Sequence, residues 1–274
     1  TLGLLCTSAV ATDKLAQRNN AFTLADVVVE NYSWTGKLPK HRKIKVINHF
    51  GNIGSRVRSM PQVGISAAIQ KIGPQPATPS FDIQETAEHT QITVLYPEGH
   101  YDSLGRLTGR VDVAVVVPET VSVEMETTWG DIKSKKHFSN MTAKTVSGNI
   151  KLGSVGELNA ETVSGDIIID HYNVNWYNRQ QLHTEQGNIE LTLAKLANVT
   201  VHATGKTLAS NYYQSGIQSV SEQAFISFSL NKPKSTIELT APLGHIDINL
   251  IDKPHGGYVA LPSEFDGDIR SLPT

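Results

Sequence analysis

Two segments of this chain are near copies of each other. Leu158-Asn159-Ala160-Glu161-Thr162-Val163-Ser164-Gly165-Asp166-Ile167 repeats Met141-Thr142-Ala143-Lys144-Thr145-Val146-Ser147-Gly148-Asn149-Ile150, with Ala, Thr, Val, Ser, Gly and Ile in the same places. The centre of the unit, glycine then a short polar residue then isoleucine, returns at Gly51-Asn52-Ile53, Gly130-Asp131-Ile132, Gly187-Asn188-Ile189, Gly244-His245-Ile246 and Gly267-Asp268-Ile269. Successive glycines at Gly130, Gly148, Gly165 and Gly187 are 18, 17 and 22 residues apart. That period is too short for a helical repeat and suits one coil of a solenoid.

Within each unit the apolar residues alternate, as in Ile150 and Leu152, Ile167 and Ile169, Ile189 with Leu191 and Leu193, and Ile246 with Ile248 and Leu250. Period two places these side chains on one face of a strand, where they meet their counterparts one coil away, about 4.8 Å along the stack. Glycine is expected to supply the positive φ of a sharp corner, and Asn or Asp to bond locally to the backbone there. The predicted fold is all-β, a single β-solenoid (β-helix) of roughly 17–18-residue coils with a less regular N-terminal third. Residues 111–274 form the regular repeats and residues 12–110 the irregular strands and cap. Coil boundaries between Leu193 and Ile237 stay open, with Gly205 as a candidate degenerate corner.

Composition agrees with many short strands, since only 18% of residues are charged. The 24 Lys and Arg against 26 Asp and Glu leave a net charge of -2, which offers no field to gather nucleic acid. No apolar run is long enough to span a bilayer as a helix. Residues 1–11, ending in Ala9-Val10-Ala11, read as the end of a secretion signal, with a first strand as the alternative. Cys6 is the only cysteine, so an internal disulfide is impossible. Lipidation of Cys6 is the weaker reading, because Leu5 stands where a small residue is wanted.

Val115-Val116-Val117-Pro118 precedes Thr128-Trp129-Gly130-Asp131-Ile132, Val146-Ser147-Gly148-Asn149-Ile150, Val163-Ser164-Gly165-Asp166-Ile167 and Glu185-Gln186-Gly187-Asn188-Ile189. This order resembles the bacterial adhesin-like families, whose members carry Ser-Gly-Asp-Ile type coils after a Val-x-Val-Pro segment. The resemblance runs from Lys43 onward and is sharpest from Val111 to Leu193. It implies an extracytoplasmic β-solenoid of the periplasm, outer surface or surroundings of a bacterium, with no established enzymatic activity. Such a likeness constrains architecture more than function.

Asp131, Asp166 and Asp268 are candidate acids, bases or calcium ligands, but they recur at one repeat position where Asn149 and Asn188 also stand. A turn role fits that recurrence better. The ten histidines form no pair at helical metal-ligand spacing, although His171 and His183 flank one insertion and could approach. Lys133-Ser134-Lys135-Lys136-His137 could meet an anionic polymer, with a solvated face as the plainer account. No nucleophile elbow, phosphate loop or dinucleotide fingerprint occurs. No catalytic, cofactor-binding or metal residue is therefore assigned.

The repeat is broken between Gly165 and Gly187, where His171 to Gln180 should leave the coil as a loop. Tyr172, Trp176, Tyr177 and Arg179 in that loop are the candidate contacts for a protein or a surface glycan. The alternative is that Trp176 and Tyr177 fold back as an apolar plug. The expected function is a structural or interaction protein, adhesin-like, with a carbohydrate-binding or carbohydrate-active β-helix protein of the envelope as the alternative. Open ends at Arg110 to Val117 or Asp268 to Leu272 would allow a homo-oligomer or fibre.

Overall fold

A computed structural model describes residues 27–252, apart from residues 74, 102–104 and 221. The proposed signal segment, Cys6 and the Gly267-Asp268-Ile269 unit lie outside the described residues. The described chain is all-β, with nineteen strands and one short 3-10 turn. Strands win because β-branched residues alternate with polar ones, and every few residues a Gly-polar corner interrupts the run.

Each central repeat folds into two strands joined at its Gly-polar corner. These are β2 (Lys43–Phe50) and β3 (Ile53–Val57), β8 (Ser122–Trp129) and β9 (Ile132–His137), β10 (Met141–Ser147) and β11 (Ile150–Ser154), β12 (Leu158–Ser164) and β13 (Ile167–His171), and β14 (Gln180–Gln186) and β15 (Ile189–Ala194). The first strands of the pairs form one parallel ladder, β2–β8–β10–β12–β14, and the second strands form another, β3–β9–β11–β13–β15. Registers put repeat equivalents side by side, so Ala143 pairs Ala160 and Ile150 pairs Ile167. Ile53, Ile132, Ile150, Ile167, Ile189 and Ile246 form a buried column, each contributing about 2 kcal/mol relative to an exposed side chain.

A uniform stack in chain order does not extend to the ends. Strand β19 (Ser235–Ile251) spans both ladders and lies between β14 and β15 on one side and β16 (Val199–Ser210) on the other. The tier after Gly187 is thus built from Gly244, and Gly205, the candidate degenerate corner, lies in β16 where its pairing with β19 shifts register beside that corner. At the other end β2 and β3 are inserted between β8 and β9 and the pair β6 (Thr90–Leu95) and β7 (Gly109–Val117). Pairing there turns antiparallel: β4 (Gln62–Ile72) covers β7, β1 (Val27–Lys37) covers β4, and β5 (Ser80–Glu85) covers β6. Beyond β16 lie β18 (Gln223–Ser229) and β17 (Gln218–Val220), also antiparallel. The sheet is therefore mixed, which corrects the expectation of one regular solenoid from end to end. Arg110 to Val117 is not an open edge either, because β4 occupies it; unpaired backbone groups favour such covering.

Candidate functional site

The Gly-polar corner is where the candidate acids sit, and its geometry assigns their oxygens. A Cβ added to Gly130, Gly148, Gly165, Gly187 or Gly244 would lie well under 3.0 Å from the carbonyl oxygen of the glycine one tier away. Gly51 meets the Val111 carbonyl in the same manner. Positive φ, the expected reason for glycine, applies at Gly51 (130°), Gly148 (159°) and Gly165 (152°) but not at Gly130, Gly187 or Gly244. Close approach of one backbone to the next is the requirement all of them share.

The polar residue after each glycine bonds between tiers rather than locally. Asp112 Oδ1 accepts from Asn52 N, Asn52 Oδ1 from Asp131 N, Asp131 Oδ1 from Asn149 N, Asn149 Oδ1 from Asp166 N, Asp166 Oδ1 from Asn188 N, and Asn188 Oδ1 from His245 N, all at 2.8–2.9 Å. Asn and Asp are interchangeable here because each bond needs only a side-chain oxygen. Burial pushes the Asp131 carboxyl up, but hydrogen bonds from Lys133 and from Asn149 N outweigh it and hold the group below its ordinary value. An ionised acceptor committed to a neighbouring amide is poorly suited to give or take a proton. Thr127, Thr145, Thr162 and Thr184 add a third ladder, donating to the carbonyls of Gly51, Gly130, Gly148 and Gly165.

The two histidines flanking the insertion are kept apart. His171 is buried in the column His137–Ser154–His171, whereas His183 is only half-buried and its Nε2 lies 2.8 Å from Glu185. Among the described residues no group of three metal-ligating side chains converges.

The insertion, residues 172–179, carries the chain from one ladder to the other at the edge away from the corners. It divides the four candidate contact residues. Trp176 is 2% exposed and stacks on the His171 ring at 4.3 Å, so its indole closes the core and faces no solvent. Tyr172 is half-buried beside Gly153, and burial followed by its neighbour Asp170 raises its phenol pKa. Tyr177 is 61% exposed, with the Lys234 ammonium 5.8 Å from its ring centre. Arg179 is exposed and ion-paired with Glu238 of β19. Glu157 accepts from Asn178 N and Nδ2 at 3.1 and 2.6 Å, and the Ser235 hydroxyl donates to the Asn178 carbonyl, so the loop is held on both sides.

Arg179 and Glu238 stand at the end of a groove on the outer face of β10, β12, β14 and β19, about 490 Å³ in volume. One column of its floor is Thr142, Asn159, Gln181 and Glu238, and the next is Lys144, Glu161, His183 and Thr240. Charges on this face are matched in register, with Lys45 beside Glu124, Glu126 beside Lys144 and Lys144 beside Glu161. Glu124 lies 2.7 Å from Lys43 and 2.8 Å from Lys45. Burial raises its carboxyl, but the two ammonium groups overcome that and bring it down to about 2. Hydroxyls and amides are left as the groove's distinguishing chemistry. Sequence reading missed this surface, although its signal lay in the outward positions of the repeats, where Thr142 and Asn159 alternate with the core.

No protein-family model matches the chain, and no curated protein matches it in sequence. Similar solved structures include a candidate cell adhesion protein from Clostridium sporogenes, 13% identical with a TM-score of 0.47 over 82% of this chain and 100% of that one. A candidate adhesin from Bacteroides fragilis is 11% identical with a TM-score of 0.33 over 81% and 97%. A candidate lipid-binding protein from Parabacteroides distasonis is 11% identical with a TM-score of 0.30 over 81% and 97%. At these values no residue role transfers, and the function rests on this chain's own geometry.

Proposed function

We propose that this chain is a non-catalytic, adhesin-like interaction protein, exported from a bacterial cell, whose β-solenoid scaffold presents the groove of Thr142, Asn159, Gln181 and Thr240 to a surface glycan. In-register parallel pairing at 17 and 18 residues supports the solenoid reading of the centre, with the antiparallel β1, β4 and β5 as the cap of its first tiers. The observation that carries the function is a charge-matched floor of hydroxyls and amides whose Glu238 is tied by Arg179 to the loop that bears the exposed Tyr177 ring two residues earlier. A sugar offers hydroxyls to the first and an apolar ring face to the second. The carbohydrate-active alternative is disfavoured because Asp131 and Asp166 each accept from a backbone amide one tier away.

Replacing Thr142 and Gln181 of the groove floor with Ala tests the reading on a glycan array, with thermal melting in parallel. Lost glycan binding at unchanged melting temperature is expected. Retained binding to the same glycans by the double variant would remove the groove as the site.

A further inference from the structure

The outer face of the second ladder has a different charge arrangement. Lys133 and Lys151 are register partners on β9 and β11, a like-charge pair side by side. Arg56 and Lys135 each stand two residues beyond the pair Gly54–Lys133, and so project from the same face of adjacent strands. Like charges directly opposite destabilise a sheet. Lys133 is the one member with an ion-pair partner, Asp131 at 2.9 Å; Arg56, Arg58, Lys135 and Lys151 have none among the described residues.

Arg56, Arg58, Lys133 and Lys135 line a cleft of about 740 Å³ in which Gly54 and Ala114 leave room. The exposed Glu119 is the single carboxylate on its wall. Farther along the same ladder the sign reverses, with Glu190 and Asp247 as register partners. Anions are thereby drawn to one end of the face and repelled from the other.

We propose that this cleft binds an acidic polysaccharide, the carboxylates or sulfates of successive sugars being held by Arg56, Arg58, Lys133 and Lys135. Lys133 is level with Gly54, four residues before Arg58, so the four positions run roughly 13 Å along the strands and about 4.8 Å across them, too far apart for one compact anion to meet all four. A chain of repeated anionic groups meets them in turn. Single-stranded nucleic acid has the charge but also seeks a row of stacking aromatics; Phe138 is the one aromatic residue in the lining. The site is separate from the groove proposed above, so the two can fail independently.

The test titrates the full chain with polygalacturonate and with heparin fragments at about 50 mM and about 200 mM salt, with an oligothymidylate strand as comparison. Binding of at least one polysaccharide that weakens with salt is expected. Arg56→Ala with Lys135→Ala should reduce it on the order of tenfold, since each removes one neutralised anion contact. Arg58→Ala alone should give a smaller loss, and serves if the double variant does not fold. Tyr177→Ala and Lys144→Ala should leave this binding unchanged. The proposal is overturned if neither polysaccharide binds at low salt, if Arg58→Ala and the double variant bind like the parent chain, or if the oligothymidylate binds more tightly. It is equally overturned if these cations support association between copies of the chain rather than polysaccharide binding.

Discussion

The two edges of the repeating tiers obey different rules. At the corner edge every connection is a glycine and one further residue, from Gly51-Asn52 to Gly187-Asn188. At the opposite edge the connections are three residues after β9, three after β11 and eight after β13. The corner satisfies three demands at once: a backbone with no Cβ, a side-chain oxygen for the next tier's amide, and a threonine hydroxyl for the glycine carbonyl. Each demand is set by the neighbouring tier, so a change in one tier is felt in the next. The other edge has only a shorter column, Asn140 Oδ1 accepting from Glu157 N and Glu157 Oε1 from Asn178 N with Gly156 packed on the Ser139 carbonyl, and it still lengthens into a loop after β13 while the ladders continue. Scaffold and presented surface are thus separated within one repeat.

The sharpest test of that asymmetry is Gly165→Ala. The added methyl would collide with the Gly148 carbonyl and would sit on a backbone at φ 152°. Because a carbonyl inside a ladder cannot move without breaking its own register, a loss on the order of 4 kcal/mol is expected. Arg179→Ala, on the loop edge and paired with Glu238 at the surface, should cost less than about 1 kcal/mol. Chemical denaturation of the two variants decides it, and equal losses would show that the edges are not different in kind.

The loop edge carries its own sensitivity, to acid. Burial pulls the His171 imidazole down to about 4, against a smaller upward effect of Gln180. Burial likewise lowers His137 in the same column. Since the unfolded chain takes up a proton near pH 6.5 and folded His171 does not until near pH 4, stability is intact above that window and falls as pH drops through it. The loss for His171 is ~3 kcal/mol by pH 4. Leu193 occupies the same column position one tier on, so His171→Leu should fold and flatten the acid slope. An unchanged slope in that variant, measured by denaturant titration from pH 7 to about 4, would place the acid sensitivity elsewhere.

The core was legible because alternation and the isoleucine column are properties of single strands, readable without knowing what lies beside them. The demand for glycine was also legible, but its reason was misread in part. Positive φ is local and a collision with the next tier is not, so nothing near Gly130 in the sequence announces the Gly51 carbonyl. The same limit hid the Asn and Asp bonds, which run between tiers, and the order of the tiers at both ends. Gly244 stacks on Gly187 although β16, β17 and β18 intervene in the chain; the Gly244-His245-Ile246 unit marked β19 as a tier, but chain order gave no sign that it precedes β16 in the stack. In the insertion, burial could be expected of Trp176 from its size but not its partner His171. The groove was missed because its residues are the polar halves of strands read for their apolar halves.

The smallest expected effect separates the two causes of the corner's rigidity. Thr162 is fully buried and its hydroxyl donates to the Gly148 carbonyl at 3.1 Å. Thr162→Val keeps the shape and removes the donor, so the Gly148 carbonyl loses one hydrogen bond while the side chain gains apolar character. A net loss of about 1 kcal/mol is expected. Thr240→Val, half-buried on the groove side of β19, should be within about 0.5 kcal/mol of neutral. The Thr162 column gives a reason to expect the difference: where β2 has no threonine, Asn48 Nδ2 donates to the Val111 carbonyl instead, at 2.8 Å. That carbonyl is the one Gly51 packs against, so the donor is supplied by different chemistry at the equivalent place. If Thr162→Val proves as neutral as Thr240→Val, the hydroxyl ladder adds nothing measurable, and the corner's advantage over the loop edge reduces to the absence of a Cβ and the Asn and Asp bonds.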